Sequence, residues 1–226
     1  MSVPGLSGIL VVEKGRGVTS FQVVAKIRRL LKGPKVGHGG TLDPDATGLL
    51  LVLVGEATKL SSYLLEHDKE YLATVRLGLT TDSQDLSGRV VEERPVPPLT
   101  EAAIRDALSR FVGVIQQVPP MFSALHHEGR RLYELARRGE EVRREPRNVT
   151  IHEIALEEVL LPRLVVRVRC GKGTYIRTLA HDLGIALGCG GALERLIRTR
   201  TGPFSLEDAI PWADLDALGD PALEII

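Results

Sequence analysis

Apolar and polar positions alternate along the chain in ways that predict both strands and helices. The run from Leu49 to Val54 is continuously apolar, which is typical of one buried strand. Between Leu164 and Cys170 apolar and charged residues alternate, which predicts a strand that is buried on one face only. Further strands are predicted at 8–13, 69–79 and 149–159.

Helical spacing of apolar residues appears between these strands. Thr19 or Ser20 is placed to cap the first helix, and Gly33 follows its end. Thr100 is placed to cap a second helix, and further helices are predicted at 56–65 and from residue 177 to 187. The apolar face of the first helix is predicted to consist of Phe21, Val24, Ile27 and Leu31.

Composition narrows the class of protein. The 226 residues allow one large domain or two small ones, and hydrophobic residues at 43% are sufficient for a core. No run approaches the ~18 apolar residues of a membrane span, and the N-terminus lacks the features of a signal peptide. Cys170 and Cys189 favour buried thiols over a disulfide, and no cysteine and histidine cluster predicts a metal.

Charge is distributed unevenly although the formal net charge is +0. The stretch from Lys14 to Leu42 has seven lysines and arginines and no acidic residue, whereas six acidic and no basic residues follow Arg200. This asymmetry favours a face that binds a polyanion, with an acidic end elsewhere. A solvated helix face would explain part of the basic stretch equally well.

Gly37–Gly48, with the sequence GHGGTLDPDATG, is the stretch most suggestive of chemistry. It has four glycines within twelve residues and directly precedes the apolar run of the buried strand. Glycines let a backbone approach a ligand closely, and Pro44 stiffens the chain after Asp43. The residues alone leave two readings open, which are a structural turn with Asp43 as its turn residue and a carboxylate presented to a bound molecule.

Pro119–Thr150 breaks the periodicity of the elements around it. It has seven arginines and five glutamates, so a charged surface excursion with internal ion pairs is one reading and a nucleic-acid contact is the other. The residues proposed to contact phosphate are Lys14, Arg130, Arg131, Arg143 and Arg144, although Lys14 could equally be a solvated loop lysine.

These motifs resemble those of the TruB family of tRNA pseudouridine synthases. GHGGTLDPDATG is similar to the family's catalytic loop GHTGTLDPxATG, with Gly39 in place of threonine, which implies a more pliable loop. CGKGTYIR at residues 170–177 is similar to the family's CSKGTYIR, and residues 119–150 are similar to its thumb insertion. The resemblance runs from about Gly8 to Trp212.

The resemblance assigns roles residue by residue. Asp43 corresponds to the catalytic aspartate, Tyr71 to the tyrosine that stacks on the uracil, and Arg177 to the arginine that pairs with the aspartate. His38 corresponds to the histidine that fills the space of the flipped-out base. Tyr175 and Leu196 correspond to residues of the uridine pocket. Without the resemblance, Tyr71 would be read as an ordinary half-buried strand tyrosine and Arg177 as a helix arginine in water. Tyr175 would be read as a packing tyrosine and Leu196 as a core leucine.

The resemblance also implies a fold and a reaction. The expected fold is an α+β pseudouridine synthase domain over residues 1–226, with a mainly antiparallel mixed sheet, flanking helices and the thumb, but no full C-terminal PUA domain. The expected reaction isomerises uridine to pseudouridine in the T-arm loop of tRNA, at the position numbered 55. Asp43 attacks either C6 of the base or C1′ of the ribose.

The resemblance implies a cytoplasmic monomer that needs no cofactor, metal, membrane or protein partner. Three alternatives remain open. A guide-RNA-dependent pseudouridylase of the dyskerin type shares the loop, a non-catalytic RNA chaperone would share the RNA-binding surface, and a small-molecule isomerase or hydrolase could also use Asp43.

Overall fold

The structure is a computed structural model that describes residues 6–123, 125–127 and 129–219. The chain forms two compact units. The first consists of Met1–Leu72 and Leu196–Ile226, and the second of Ala73–Arg195. Two of the six acidic residues that follow Arg200, Asp220 and Glu224, lie outside the described residues.

Strands and helices follow one another along the whole described chain. The strands are β1 (Gly8–Lys14), β2 (Val36–His38), β3 (Thr47–Val54), β4 (Lys69–Leu77), β5 (Leu79–Thr81), β6 (Val90–Glu93), β7 (Gly113–Gln117), β8 (His126–His127), β9 (Arg130–Arg131), β10 (Arg147–Leu160), β11 (Arg163–Cys170), β12 (Gly191–Thr201), β13 (Phe204–Ser205) and β14 (Ile210–Pro211). The α-helices are α1 (Ser20–Leu31), α2 (Ser61–Glu66), α3 (Glu101–Ser109), α4 (Leu132–Arg137) and α5 (Ile176–Ala186), and 3₁₀ helices are formed by Gly55–Leu60, Leu206–Asp208 and Trp212–Gly219.

The first unit is built around β3, in which seven of the eight residues are buried. Its strands follow the order β14-β1-β3-β12-β4, with β1 antiparallel and β12 parallel to β3. The predicted strand at 49–54 is therefore confirmed as the centre of a sheet. Helix α1 packs on this sheet, and the apolar core between them includes Leu10, Val12, Val23, Val24, Ile27, Leu50, Val52 and Val54.

Helix α1 begins and ends close to the predicted positions, but one residue of its predicted apolar face is wrong. Thr19 caps the helix in a capping box with Gln22, and Lys32 at the C-cap is left-handed with φ 52°. The buried residues of the helix are Ser20, Val23, Val24 and Ile27. At ~100° per residue Phe21 falls outside this arc, and its side chain is 70% exposed.

The second unit is formed by strands in the order β4-β11-β10-β7, with β10 antiparallel to both neighbours. As predicted, Val166, Val168 and Cys170 of β11 are buried, whereas Arg169 is exposed. Thr100 caps α3 through a bond from the Ala103 amide to its hydroxyl. Helices α3 and α5 belong to this unit.

The excursion at 119–150 is an inserted segment of the second unit with a small apolar cluster of its own. Strands β8 and β9 pair as a short hairpin, and α4 follows. The buried members of the cluster are Met121, Leu132 and Leu135, and the partly buried members are Phe122, Leu125, Ala136 and Val142.

The prediction of an α+β fold with a mainly antiparallel mixed sheet and flanking helices is confirmed, and the thumb role of residues 119–150 stays a prediction. The predicted helix at 56–65 is divided between a 3₁₀ helix and α2, and the strand predicted to run to residue 79 is interrupted at Gly78. Cys170 and Cys189 are buried and free. None of the helices in the described part of the chain has both the length and the apolar character needed to cross a bilayer.

Candidate active site

The Gly37–Gly48 loop lies in the first unit and connects β2 to β3. Asp43 is partly buried, and its carbonyl accepts from the Ala46 amide at 3.1 Å, which closes a tight turn. Gly39 is buried, and its amide donates to the Leu51 carbonyl at 2.9 Å. A Cβ at Gly39 would lie 3.3 Å from the Leu64 Cβ, so this part of the loop has little free space.

Ser20 fixes the residue before Asp43. The buried Ser20 hydroxyl donates to the Leu42 carbonyl at 3.1 Å and accepts from the Leu42 amide at 2.9 Å. Ser20 is the first residue of α1, so the start of the helix is bonded directly to the loop. Because both backbone groups of Leu42 are satisfied by one side chain, the orientation of the following residue is restricted.

Lys14 fixes the residue after Asp43. Its side chain at the end of β1 is fully buried, and its ammonium donates to the carbonyls of Val18 at 2.7 Å, Gly15 at 3.0 Å and Pro44 at 3.0 Å. Burial lowers the pKa of Lys14 from 10.5 to about 8, although the nearby carboxylates of Asp43 and Asp45 act in the opposite direction.

The position of Lys14 disagrees with its predicted role as a phosphate contact. An ammonium that is buried and already bonded to three carbonyls is not presented to a ligand in solvent. Its positive charge instead lies inside the unit, where the nearby Asp43 carboxylate favours the charged form of Lys14. Lys14 is therefore part of the scaffold of the loop.

Arg198 of β12 supports the loop from a third direction. Its side chain is buried, and Nε donates to the Leu49 carbonyl at 2.6 Å. Nη1 donates to the Thr41 carbonyl at 3.3 Å and Nη2 to the Gly40 carbonyl at 3.4 Å. One guanidinium thus bonds residues of the loop and of the strand that follows it.

Gly48 allows β12 to approach this loop. The residue has a φ of +97° and pairs with Arg198 in the parallel ladder between β3 and β12. A Cβ at this position would lie 2.4 Å from the Arg198 carbonyl oxygen, which is far inside van der Waals contact. The last glycine of the motif is therefore required by close backbone approach as well as by its φ angle.

His38 begins the loop as a partly buried, neutral imidazole. The Gly40 amide donates to its Nδ1 at 3.4 Å, and its carbonyl accepts from the Ser61 hydroxyl at 3.2 Å. Burial, assisted by the positive charge of Arg198, lowers the pKa of His38 from its usual 6.5. A neutral ring is suited to contact an uncharged base or ribose.

Tyr71 and Leu196 occupy strands of the same unit. Tyr71 is partly buried on β4, directly after Glu70. The Thr199 hydroxyl of β12 lies 2.7 Å from the Glu70 carboxylate and 3.2 Å from its carbonyl, which joins β4 to β12 beside Tyr71. Leu196 is 8% exposed and lies two residues before Arg198 on β12. His38, Asp43, Tyr71 and Leu196 therefore all belong to the first unit.

Arg177 lies in the second unit at the start of α5 and is buried. Its guanidinium donates to the carbonyls of Ser83 at 3.2 Å and Phe122 at 3.0 Å. Nη1 also lies 3.6 Å from the Asp85 carboxylate. Asp85, in the polar turn at 80–85, thus supplies Arg177 with a counter-ion, and no motif in the sequence pointed to this pairing.

Tyr175 is positioned by Gln117, a residue that the sequence analysis missed. The Tyr175 amide donates to the Gln117 side-chain oxygen at 3.0 Å, and the Gln117 amide nitrogen donates to the Tyr175 carbonyl at 3.2 Å. Gln117 is 1% exposed and ends β7, directly before the excursion. It could have been suspected because strand alternation places it on the same face as Ile115.

The excursion arginines differ in exposure. Arg130 and Arg131 are exposed on β9, and Arg143 is exposed with Glu145 at 3.2 Å. Arg144 is only 21% exposed at its side chain, donates to the Pro119 carbonyl and pairs with Glu141. Arg144 therefore connects the two ends of the excursion, and its contact with phosphate stays a prediction.

No metal centre is evident in the described ranges, which contain no group of three or more metal-binding side chains. The chemical group that the geometry of the first unit presents is the carboxylate of Asp43. Its backbone neighbours are fixed by Ser20, Lys14 and Arg198, which come from three different elements. Such a carboxylate is suited to act as a nucleophile or a general base.

Comparison with known proteins gives consistent results. The model of the "TruB family pseudouridylate synthase (N terminal domain)" matches residues 28–176, and that of the "tRNA pseudouridylate synthase B C-terminal domain" matches residues 177–220. A protein of Opitutus terrae named tRNA pseudouridine synthase B is 50% identical over 97% of this chain and 91% of its own length. A protein of the same name from Francisella philomiragia is 48% identical over 97% of this chain and 72% of its own length. Another from Aromatoleum aromaticum is 52% identical over 94% of this chain and 69% of its own length.

Two solved structures that share the fold of this chain are complexes. A chain of a Cbf5-Nop10-Gar1 complex superposes with a TM-score of 0.75 at 32% identity, over 96% of this chain and 57% of that chain. A chain of an H/ACA RNP bound to a substrate RNA containing 2′-deoxyuridine gives a TM-score of 0.70 at 30% identity, over 93% of this chain and 52% of that chain.

Proposed function

The chain belongs to the TruB family of pseudouridylate synthases, and we propose that it converts uridine to pseudouridine in the T-arm loop of tRNA, at the position numbered 55. The observation that carries this proposal is the Asp43 loop, in which the residues on both sides of the carboxylate are bonded to buried side chains. The relatives named tRNA pseudouridine synthase B, at about 50% identity over nearly the whole chain, support tRNA as the substrate.

The proposed reaction is an isomerisation that needs no group donor. The bond from C1′ of the ribose to N1 of the base breaks, and a bond from C1′ to C5 forms. The proton that leaves C5 is balanced by the proton that N1 gains, so no oxidant or reductant is consumed. Asp43 is the nucleophile, and it attacks either C6 of the base or C1′ of the ribose.

The remaining site residues keep proposed roles. The target uridine is flipped out of its loop, which costs a few kcal/mol of stacking, and the neutral His38 ring occupies the vacated space. Tyr71 stacks on the uracil, and its hydroxyl assists removal of the C5 proton. Leu196 and Tyr175 line the uridine pocket, and Arg177 keeps the catalytic carboxylate ionised, as the family resemblance assigns.

The excursion is proposed to close over the RNA. Arg130, Arg131 and Arg143 are exposed and can reach phosphate oxygens, and such contacts make affinity strongly dependent on salt. The protein is proposed to act as a cytoplasmic monomer on the T-arm of tRNA, as one catalytic domain, without a cofactor or protein partner.

An Asp43→Asn variant tests the proposal directly. Incubated with an unmodified tRNA transcript, the wild type should form pseudouridine at one position of the T-arm loop. Asp43→Asn keeps the volume of the side chain and removes the nucleophile, so the rate should fall by at least 10³-fold with tRNA affinity within several-fold. Asp45→Asn is the matched control, because Asp45 is exposed and pairs only loosely with Arg16 at 3.7 Å. Turnover by Asp43→Asn at a tenth of the wild-type rate would contradict the assignment.

A guide-dependent pseudouridylase is the second candidate, favoured by the TM-score of 0.75 to a chain of the Cbf5-Nop10-Gar1 complex. The identity of about 50% to the proteins named tRNA pseudouridine synthase B exceeds the 32% identity to that chain. The same transcript assay distinguishes the two, because a guide-dependent enzyme would leave the transcript unmodified until a guide RNA is added.

A further inference from the structure

The solvent-facing side of α1 combines an exposed aromatic ring with a line of positive charges. Phe21, in the first turn, is 70% exposed, which is the exposure of a surface residue and not of a core residue. Ala25, Arg28 and Arg29 are exposed further along the helix, and Lys32 is exposed at its C-cap. We call these five residues the outer face of α1.

The charges of this face are available for binding. Helix α1 contains no acidic residue. Neither Arg29 nor Lys32 forms an ion pair with any residue that the structure describes. Arg28 donates one bond to the Val36 carbonyl at 3.0 Å and keeps its other guanidinium donors. Lys26, by contrast, is bonded to Asp216 at 3.0 Å and lies over the Trp212 ring. Its charge is already engaged within the protein, so we do not include it in this face.

The outer face begins beside the catalytic loop. Ser20, the residue before Phe21, is bonded through its hydroxyl to both backbone groups of Leu42, which directly precedes Asp43. From Phe21 to Arg29 the helix rises about 12 Å, which matches a few nucleotides of a strand. The aromatic ring thus lies at the end of the face nearer to Asp43, and the cations follow it away from the loop.

We propose that the outer face of α1 is a second RNA-binding surface, on which Phe21 stacks against an unpaired base of the tRNA and Arg28, Arg29 and Lys32 hold the phosphates that follow. This inference rests on the proposed function for the identity of the RNA. An exposed ring offers a π-face that any base can stack on, and positive charges without acidic neighbours complement a phosphate backbone. An apolar protein partner would gain from the ring but not from the line of cations that follows it.

A series of substitutions at Phe21 tests the stacking. Because the side chain is exposed, none of the variants should alter the melting temperature appreciably. Phe21→Ala should weaken binding of a tRNA transcript by about 5- to 150-fold, which corresponds to the ~1–3 kcal/mol typical for loss of one base stack. Phe21→Tyr should bind like the wild type, and Phe21→Leu should resemble Phe21→Ala, because leucine keeps apolar area but has no π-face. Val114→Ala is the matched control, since Val114 is also 70% exposed and lies in the second unit.

A double substitution tests the phosphate contacts. Arg29→Gln with Lys32→Gln should reduce the slope of log affinity against log salt by about 1.4, if each cation holds one phosphate of a single strand. Arg105→Gln with Arg110→Gln removes two exposed arginines, one in α3 and one at its C-cap. This pair should leave the slope unchanged, because both arginines already pair with carboxylates of α3. Phe21→Ala should lower affinity at every salt concentration without changing the slope.

The outcomes separate this inference from the proposed function. Pseudouridine formation is measured in the same reactions. A wild type that forms pseudouridine, together with Phe21→Ala that binds as tightly as the wild type, overturns the stacking role alone. Retention of affinity by Phe21→Leu also overturns it, because an apolar contact would then suffice, as in a protein interface. A wild type that neither binds nor modifies tRNA overturns both proposals.

Discussion

The Asp43 loop and the excursion at 119–150 both depend on cations, but they use them in opposite ways. In the loop, Lys14 and Arg198 are buried and donate to six backbone carbonyls, three from each side chain. In the excursion, Arg130, Arg131 and Arg143 are exposed, and the segment packs on its own small apolar cluster. A cation that is surrounded by backbone carbonyls supports the fold, whereas a cation without them is available to a ligand. Its position in the sequence matters less.

The two regions should therefore respond differently to neutralisation of their cations. Removing a buried cation breaks its hydrogen bonds to several backbone carbonyls at once, which costs stability. Removing an exposed arginine costs little stability, because water replaces the weak surface pair.

Arg198→Met should have the largest effect. Methionine keeps part of the side-chain volume but donates to none of the carbonyls of Leu49, Thr41 and Gly40. We expect the free energy of unfolding to fall by about 3 kcal/mol, together with loss of activity as the loop relaxes. Arg200→Met, an exposed residue of the same strand, is the control in urea denaturation. Equal effects of the two substitutions would show that burial of Arg198 is irrelevant.

Lys14→Met should destabilise somewhat less, by about 2 kcal/mol at pH 7, because the loss of three hydrogen bonds is partly offset by removal of a buried charge. Lys35→Met, an exposed lysine of the same unit, should be close to neutral. If Lys14 instead met phosphate, Lys14→Met would flatten the salt dependence of tRNA binding with stability unchanged.

The effect of Lys14 should also depend on pH in a defined direction. The folded protein lowers the pKa of Lys14 to about 8, whereas the unfolded chain keeps 10.5. Between these values the unfolded state binds more protons, so this group makes the wild type more stable as pH rises. The difference in stability between wild type and Lys14→Met should therefore be larger at pH 9.5 than at pH 7.5, and a smaller difference at pH 9.5 would contradict the assigned pKa shift.

Ser20→Ala should cost about 1 kcal/mol, because one hydroxyl satisfies both backbone groups of the buried Leu42. The rate of pseudouridine formation should fall as well, since Leu42 orients Asp43. Ser62→Ala, at an exposed position of α2, should change neither quantity. A Ser20→Ala variant with lower stability but the full single-turnover rate would show that Ser20 stabilises the fold without orienting the Asp43 carboxylate.

Neutralising Arg130, Arg131 and Arg143 together to glutamine should have the smallest effect on stability, within about 0.5 kcal/mol. Its effect on binding should be large if these residues touch phosphate, with a slope of log affinity against log salt reduced by about 2. The same change at Arg94, Arg105 and Arg110, which are exposed and paired, provides the control. An unchanged slope would make the excursion a charged surface loop.

Much of the site was predictable because the residues of each motif are contiguous in the sequence. The side chains that hold these motifs in place are distant in the sequence and were not predictable. Asp43 and its loop were recognisable from local sequence, and β3 from its apolar run. Lys14 was misassigned because a lysine in a glycine-rich segment is usually solvated, and nothing local shows that three carbonyls converge on it. Phe21 was misassigned because helical spacing fits two neighbouring arcs, and only packing against the sheet selects one.

Gln117 and Asp85 show a second limit of sequence reasoning. The bond from Gln117 to Tyr175 spans 58 residues, and Ser83 lies 94 residues from Arg177. Polar residues at such separations leave no periodic signal, because their partners are chosen by the topology of the sheet. The sequence could indicate that Gln117 was buried but could not indicate what it would hold.

The large sequence separation between Arg198 and the loop that it holds has a consequence during synthesis of the protein. Leu49, to which its guanidinium is bonded, precedes it by 149 residues. At the usual pace of translation of about 5–20 residues per second, the loop leaves the ribosome roughly 8–30 s before the side chain that fixes it. During this interval a nascent chain already contains Asp43 but not the complete scaffold around it. The complete scaffold around Asp43 therefore forms only after β12 has been synthesised.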